Sequence, residues 1–436
     1  MNILCPRNLL CFFALAGLTA CSTQKKIGRS ARTLLHSASL QTAHVGIHVA
    51  DAATGKSLYD HQGDKYFVPA SNTKIVTCYA AIKYLGKNLP GIRYRIDAEN
   101  LYLYPTGDPT LLHPEFDRQR VLQFLQTSDK NLNLNLTAWK TTPWGSGWTW
   151  DGYDAAYMAE RSALPMYGNT VRIGGRREEP QVTPAFFYGN IATDSLQEGN
   201  GYVAQVQRSM SGNQFKVLWR GAKANEVNIP FYTDNSKLAY LLLQDALRKP
   251  VRRDTTAYAD TLATIRSVPT DSLLKPMMHR SDNFFAEQTL LMVSNELLKK
   301  FDEDDAIDTV LKTHLADLPQ KPRWADGSGL SRYNLFTPQD FVHILQKIKT
   351  DAGMERVKEI FPTGGEGTLR NFYVSDSGFL YAKTGTLSGV VALSGYLYTA
   401  KNRLLLFSVL VNNHQASAID VRRQVEAFLQ RLRKKY

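Results

Sequence analysis

Cysteine is scarce in this chain of 436 residues, which contains only four. Cys5, Cys11 and Cys21 all lie close to the N-terminus, and Cys78 stands alone further along the chain. A framework of disulfide bonds is therefore excluded, even for an oxidising compartment. We expect Cys78 to be a small core residue.

Motifs for metals and nucleic acids are lacking as well. The nine histidines show neither H-E-x-x-H nor pairing with cysteines, and His44 and His48 lie in a segment with strand character. We therefore predict no metal and no cofactor. The formal net charge is +12, but the basic residues are dispersed and no nucleic-acid motif is recognisable, so we expect no nucleic acid as partner. An anionic cell-wall polymer, a lipid surface or simple solubility would each explain the charge.

The apolar run at the N-terminus is too short to span a membrane comfortably. Arg7 precedes this run, and small residues lead from it to Cys21. This order resembles a bacterial lipoprotein signal, which predicts a signal peptide over 1–20, a lipidated Cys21 and a tether over 21–39. A plain secretory signal with an incidental cysteine is the alternative. The protein would be exported, periplasmic and lipid-anchored to a bacterial membrane, and Ser22 after Cys21 is compatible with the outer membrane.

Against these absences stand three short motifs, the first of which is Ser71-Asn72-Thr73-Lys74. It opens an apolar-periodic run closed by Gly86, and this pattern predicts a helix. Three residues are nearly one helical turn, so Ser71 and Lys74 share a face. A serine becomes a nucleophile when a neighbour takes its proton, and a lysine can do so if its pKa is lowered.

A second S-x-x-K pattern runs from Ser272 to Lys275. We reject it because Pro276 follows at once and because the next motif lies too close in sequence to form a separate wall of a cleft. For an isolated match, a first-turn serine beside a solvated lysine is the better interpretation. Ser71 is preferred because of the motifs that accompany it.

The second motif is Ser281-Asp282-Asn283, which precedes a strongly apolar helical stretch. All three residue types favour the N-cap position, so a helix cap is the ordinary interpretation. The functional interpretation is that Ser281 relays a proton to a leaving group and that the Asn283 amide holds a substrate carbonyl.

The third motif, Lys383-Thr384-Gly385, ends one predicted strand and leads into another. A lysine and a threonine on a strand edge can bind a carboxylate, and Gly385 leaves room for a ligand backbone. Alone, the match would indicate a solvated strand end. In this order, the three motifs together predict a serine acyl-transfer site whose base is a lysine.

At these motifs the chain resembles the penicillin-recognising serine enzymes, and among them the class C low-molecular-mass penicillin-binding proteins, the type-4 D-alanyl-D-alanine carboxypeptidase/endopeptidase family. The matching segments are 45–47, 54–56, 69–74, 106–111, 145–148, 326–332, 362–369 and 383–387. The resemblance implies an α+β fold: a β-lactamase/transpeptidase-like domain, in which an antiparallel sheet is flanked by helices, with a β-rich insertion. The catalytic domain would be discontinuous, over 40–94 and 268–436, and the insertion would cover 95–267.

The resemblance also implies catalytic roles. Lys74 would take the proton from Ser71, which attacks the carbonyl between the last two D-alanines of a peptidoglycan stem peptide. The backbone N–H groups of Ser71 and Thr386 would form the oxyanion hole. Ser281 would protonate the leaving amine, and Asn283 would orient the acyl side.

Substrate binding is implied for the third motif and the residue that follows it. Lys383, Thr384 and Thr386 would bind the terminal carboxylate, and Gly385 belongs to the same binding strand. Asp282 would support local geometry without contacting substrate. The expected partners are peptidoglycan peptides and, as covalent inhibitors, β-lactam antibiotics.

Three other functions compete with this interpretation. A serine β-lactamase is disfavoured because Glu160 precedes Ser281, which is the wrong order for the deacylating glutamate of class A enzymes, and because the insertion is large. A non-catalytic cell-wall-binding lipoprotein is opposed by the intact motifs. A nucleic-acid-binding protein is disfavoured by the export signal. Carboxypeptidase and endopeptidase action both remain open, since both cleave after a D-alanine.

Overall fold

The computed structural model describes residues 27–195, 203–220, 223–256 and 261–436. One five-stranded sheet, antiparallel throughout, lies in the part of the chain predicted to be the catalytic domain. In spatial order its strands are β14 (Leu380–Leu387), β15 (Val390–Tyr398), β16 (Leu404–Asn412), β1 (His44–Asp51) and β2 (Ser57–His61). The final strand along the chain therefore pairs with the first, with His44 opposite Asn412. The predicted antiparallel sheet is confirmed.

Helices cover both faces of this sheet because its strands are apolar on both sides. In β16, Leu405, Phe407 and Val409 belong to one core, whereas Leu406 and Leu410 belong to the other. This alternation follows the two-residue period of a strand. The first core includes α1 (27–35) and α9 (Ala418–Lys435); the second includes α2 (Thr73–Tyr84), α5 (Thr270–His279), α6 (Asn283–Leu298), α7 (Glu303–Thr313) and α8 (Pro338–Ile360).

Side-chain caps fix where four of these helices begin. Asp282, Asp302, Thr337 and Ser417 accept hydrogen bonds from backbone N–H groups in the first turns of α6, α7, α8 and α9. Each cap satisfies a donor that the helix itself leaves free. The cap on α6 matters most here, because that helix begins inside the predicted site.

The middle of the chain is rich in strands, as predicted for the insertion. A mixed five-stranded sheet contains β12 (Val251–Asp254), β5 (Asn131–Asn135), β4 (Asn100–Pro105), β3 (Asn88–Ile96) and β13 (Ala263–Pro269). Two three-stranded sheets contain β8 (Ile191–Ser195), β10 (Phe215–Arg220) and β9 (Val203–Arg208), and β11 (Lys223–Pro230), β6 (Thr170–Arg176) and β7 (Pro180–Thr183). With α3 (Arg120–Thr127) and α4 (Leu238–Leu247), these strands enclose a hydrophobic core of their own.

The tether predicted over 21–39 is wrong for its second half. Helix α1 occupies residues 27–35, and Ile27, Ala31 and Leu34 are buried in the core beside α9. Their spacing of four and three residues places them on one helical face. The predicted signal peptide and Cys21 lie outside the described residues. Among the helices of the described residues, none combines the length and apolarity needed to cross a membrane.

Candidate active site

Ser71 lies in a tight turn directly before α2. A 3-10 turn over Ala70–Asn72 runs into the helix, and Ala70 adopts the left-handed φ of 48°. The Thr73 hydroxyl donates to the Ala70 carbonyl at 2.9 Å and closes the turn. The buried Asn72 side chain lies 2.7 Å from the Ser394 hydroxyl of β15. The serine is therefore held at the junction of helix and sheet by a turn that costs some backbone strain.

Lys74 lies in the first turn of α2, three residues after Ser71, and is fully buried. Its Nζ is 3.0 Å from the Ser71 Oγ, 2.7 Å from the Asn283 Oδ1 and 2.7 Å from the Ser328 carbonyl oxygen. A neutral amine has two N–H bonds and one lone pair. With its N–H bonds directed to Asn283 and Ser328, the lone pair is left for the hydroxyl proton of Ser71.

The surroundings of Lys74 make this neutral form far more accessible near neutral pH than it is for an ordinary lysine. Burial lowers the pKa of Lys74 to about 8, against the opposing influence of the negative charges of Asp326, Glu287 and Asp282. Desolvation disfavours the ammonium, whereas the carboxylates favour it. A base with a pKa close to the working pH can both take and return a proton.

The second motif serves as a helix cap and as part of the site at once. The Asp282 side chain caps α6 by accepting from Phe285 N–H at 3.0 Å. Ser281, before the cap, has a left-handed φ of 62°, and Asn283, after it, contacts Lys74. The Asn283 amide nitrogen also donates to the Tyr157 carbonyl at 3.0 Å, so the insertion forms part of this wall. The helix-cap interpretation of the motif thus applies to Asp282, and the functional interpretation applies to its neighbours Ser281 and Asn283.

The third motif lies on β14, the edge strand beside the serine turn. Lys383 is fully buried, and its Nζ donates to the Ser281 hydroxyl at 2.9 Å and to the Thr384 carbonyl at 2.7 Å. Burial, together with the positive charges of Lys74 and Arg422, lowers the pKa of Lys383 well below its ordinary value. Thr386 is exposed, and its hydroxyl is hydrogen-bonded to the Arg422 guanidinium.

Gly385 permits the close approach of β14 to the serine turn. A Cβ atom added there would lie 2.7 Å from the Pro69 carbonyl oxygen and 3.1 Å from the Ser71 nitrogen. Backbone would have to move to accommodate it. The glycine therefore lets the Ser71 amide, one predicted oxyanion donor, approach the strand that carries the other, Thr386.

A buried ionic cluster behind Lys74 was missed by the sequence reasoning. Glu287 accepts a hydrogen bond from the Ser328 N–H at 2.7 Å, and the backbone carbonyl of Ser328 accepts one from Lys74. Arg161, from the insertion, is fully buried and lies 3.4 Å from Glu287. Glu287 follows Asn283 by four residues, so the helical period would have placed both on one face. Nothing in the sequence pairs either with Arg161.

Other residues are placed apart from the site. Ser272 and Lys275 are exposed on α5, which continues through Pro276. Cys78 is buried, and burial raises the pKa of its thiol to about 12. Within the described parts of the chain, no group of three His, Cys, Asp or Glu residues is placed to hold a metal ion.

A serine turn with a buried lysine, flanked by one motif at the start of α6 and another on the edge strand β14, defines a penicillin-recognising serine hydrolase. Comparison with known protein families gives a narrower class. The D-Ala-D-Ala carboxypeptidase 3 (S13) family matches residues 29–432, and the chain belongs to this family. The resemblance to the type-4 low-molecular-mass penicillin-binding proteins is confirmed.

Individual relatives agree with this family. The chain is 28% identical over 446 residues to the D-alanyl-D-alanine carboxypeptidase of Actinomadura sp. (strain R39), covering 88% of this chain and 80% of the relative. Penicillin-binding protein 4 of Haemophilus influenzae superimposes with a TM-score of 0.71 at 21% identity, over 92% of this chain and 98% of that one. Its complex with a novel β-lactam gives 0.67 at 21% identity, over 93% and 98%. At this identity the two structures establish the fold.

Proposed function

We propose that this protein cleaves the peptide bond that follows a D-alanine in peptidoglycan stem peptides, through an acyl-enzyme on Ser71. Membership of the carboxypeptidase family supports the reaction. The observation that carries the assignment to these residues is the 3.0 Å contact between the Ser71 hydroxyl and the buried Lys74 amine. The same serine would be acylated by β-lactams, as the complex of the Haemophilus protein suggests for this fold.

Acylation begins with transfer of the Ser71 proton to Lys74. The Ser71 oxygen forms a bond to the carbonyl carbon, and the oxyanion is held by the N–H groups of Ser71 and Thr386. Asn283 fixes Lys74 and binds the acyl side of the substrate. Lowering the lysine pKa by burial supplies the base, because an ordinary ammonium has no lone pair to accept the proton.

Collapse of the intermediate breaks the bond to the leaving amine. The Ser281 hydroxyl delivers a proton to that nitrogen and is replenished by the proton that Lys74 took, so Lys74 returns to the free amine. Lys383, 2.9 Å from Ser281, orients this hydroxyl. Water then attacks the ester, Lys74 takes a proton from the water, and Ser71 departs with that proton.

Labelling with a fluorescent penicillin tests the assignment of Ser71. We expect the wild-type protein to become covalently labelled and Ser71→Ala to remain unlabelled, because the nucleophile is gone. Ser272→Ala is the matched control, since it removes the serine of the exposed S-x-x-K pattern, and it should label normally. Labelling of Ser71→Ala at the wild-type rate would contradict the proposal.

Purified muropeptides test the reaction itself. Mass analysis should show release of D-alanine from pentapeptides, cleavage of cross-linked dimers, or both, and the balance measures carboxypeptidase against endopeptidase action. Wild-type protein that leaves every muropeptide intact while hydrolysing a cephalosporin through many cycles would instead be a β-lactamase.

We also propose that the chain is exported and held by lipid on Cys21 at the periplasmic side of a bacterial membrane. The apolar run and small residues before Cys21 support this. In a bacterial host, Cys21→Ala should move the protein from the membrane fraction to the soluble fraction, whereas Cys78→Ala should not. A Cys21→Ala protein that stays with the membrane would rule out the lipid anchor.

A further inference from the structure

The site contains a positive charge that the steps above do not use. Arg422 lies in the first two turns of α9, and its guanidinium is hydrogen-bonded to the Thr386 hydroxyl. Its central carbon lies 5.7 Å from the centre of the Phe372 ring. It is half-buried, so part of its side chain remains exposed beside β14.

Lys383 is poorly placed to supply this charge to a ligand. Its side chain is fully buried, and its Nζ already donates to Ser281 and to the Thr384 carbonyl. These two contacts direct two of its N–H bonds into the protein, to a serine hydroxyl and a backbone carbonyl. Lys383 is therefore committed to the proton relay and offers little to an incoming anion.

Arg422 lacks an anionic partner of its own. Among the described residues no carboxylate lies within ion-pair distance of it, and the Thr386 hydroxyl is its hydrogen-bond partner. Its neighbour Arg423 differs, because it pairs with Glu426 at 2.6 Å. A guanidinium offers a planar fork of donors that matches a carboxylate. A cationic group left without a counter-charge beside a substrate-binding strand is suited to an anion brought by the substrate.

We propose that Arg422 is the cation that binds the substrate carboxylate, together with the hydroxyls of Thr384 and Thr386. This inference rests on the proposed function. The carboxylate in question is attached to the carbon that carries the leaving nitrogen. A terminal D-alanine has this group, and so does any cross-linking residue whose D-centre amine is acylated. Arg422 is thus a specificity-determining residue for both kinds of substrate.

A pair of substrates separates this role from a structural one. The pair consists of diacetyl-L-lysyl-D-alanyl-D-alanine and its C-terminal amide, which differ only in the carboxylate. Because a hydrogen bond to a charged group contributes about 1.5–3 kcal/mol, Arg422→Gln should lower kcat/KM for the acid roughly 10- to 100-fold. The rate for the amide should change less than about threefold, since the amide never made the ionic contact. Arg422→Lys should recover part of the loss.

Arg423→Gln is the matched control, because Arg423 also lies over Phe372, at 4.4 Å, but belongs to a different ion pair. It should leave the preference for the acid unchanged. If Arg422→Gln slows both substrates equally, or leaves the ratio of acid to amide as in the wild type, the inference is wrong. If the wild-type protein hydrolyses neither substrate, the proposed function has failed instead.

Discussion

Two buried lysines face each other across the site, and their surroundings differ in sign. The charges that act on Lys74 are the carboxylates of Asp326, Glu287 and Asp282, whereas those that act on Lys383 are the cations Lys74 and Arg422. Burial lowers the pKa of both amines. Carboxylates oppose this effect around Lys74 and leave its pKa at about 8, whereas neighbouring cations reinforce it around Lys383.

The difference suits two kinds of work. An amine with a pKa near 8 gains and loses a proton easily at physiological pH, as a base that must be regenerated in each cycle requires. An amine whose pKa is held well below the ordinary value takes up a proton less readily, and in Lys383 it serves as a fixed hydrogen-bond partner for Ser281. The carboxylates around Lys74 therefore keep the pKa of a base close to the working pH. The cations around Lys383 favour the binding of an anion.

Removing the amine of Lys74, the lysine with acidic neighbours, should have the largest effect on the rate of acylation. General-base catalysis contributes about 10²- to 10⁴-fold, so Lys74→Ala should slow acylation by penicillin by about 10³-fold. The second-order labelling rate measures this loss. Lys275→Ala, which truncates the exposed lysine on α5, should label at the wild-type rate. Normal acylation of a folded Lys74→Ala protein would remove the distinction between the two lysines.

Replacing Lys383, the lysine with cationic neighbours, should make the protein more stable while lowering its activity. Exchange of a buried ionisable group for an apolar one of similar volume is often stabilising, so Lys383→Met should raise the free energy of unfolding at pH 7 by about 1 kcal/mol. Denaturant titration measures this change. A marked loss of stability would show that Lys383 is electrostatically satisfied, contrary to its surroundings.

The same variant has a signed pH dependence. Because the folded-state pKa of Lys383 lies below the unfolded value, the unfolded chain binds more protons between the two, and wild-type stability rises with pH in that window. Lys383→Met lacks this contribution. Its advantage over the wild type should therefore shrink as the pH rises from 7 towards the ordinary lysine pKa, and a constant advantage would contradict the lowered pKa.

A subtler change should move the pKa of Lys74. The charge of Glu287 raises that pKa, so Glu287→Gln should lower it and shift the acid limb of the acylation–pH profile downwards by about half a unit. Burial and Asp326 raise the pKa of Glu287 itself to about 7. The shift should accordingly be clearest above pH 7, where Glu287 is charged in the wild type. An upward shift would be inconsistent with this account.

The sequence predicted those parts of the molecule that depend on local pattern. Short apolar runs predicted the strands around the third motif, and the apolar-periodic run after Ser71 predicted α2, because burial of these elements leaves a local pattern in the sequence. The S-D-N motif was open to two interpretations, and a local pattern could not separate them. In the structure the cap belongs to Asp282, while its neighbours on either side face Lys74 and Lys383.

The missed features depend on contacts between distant segments. Arg161 reaches Glu287 only because the insertion folds back onto α6, and no sequence period reports such a contact. The position of Arg422 beside Thr386 likewise depends on how α9 packs on the sheet. The error over α1 was avoidable, since the spacing of Ile27, Ala31 and Leu34 is itself helical.

The pairing of β1 with β16 has a consequence for how the molecule is made. A ribosome would synthesise the serine turn long before β16 (Leu404–Asn412), the strand that pairs with β1. Contacts so distant in sequence are slow to form and are lost together when the end is missing. A nascent or truncated chain ending before Leu404 would possess Ser71 and Lys74 but lack the strand that joins β15 to β1, so its serine should be unreactive.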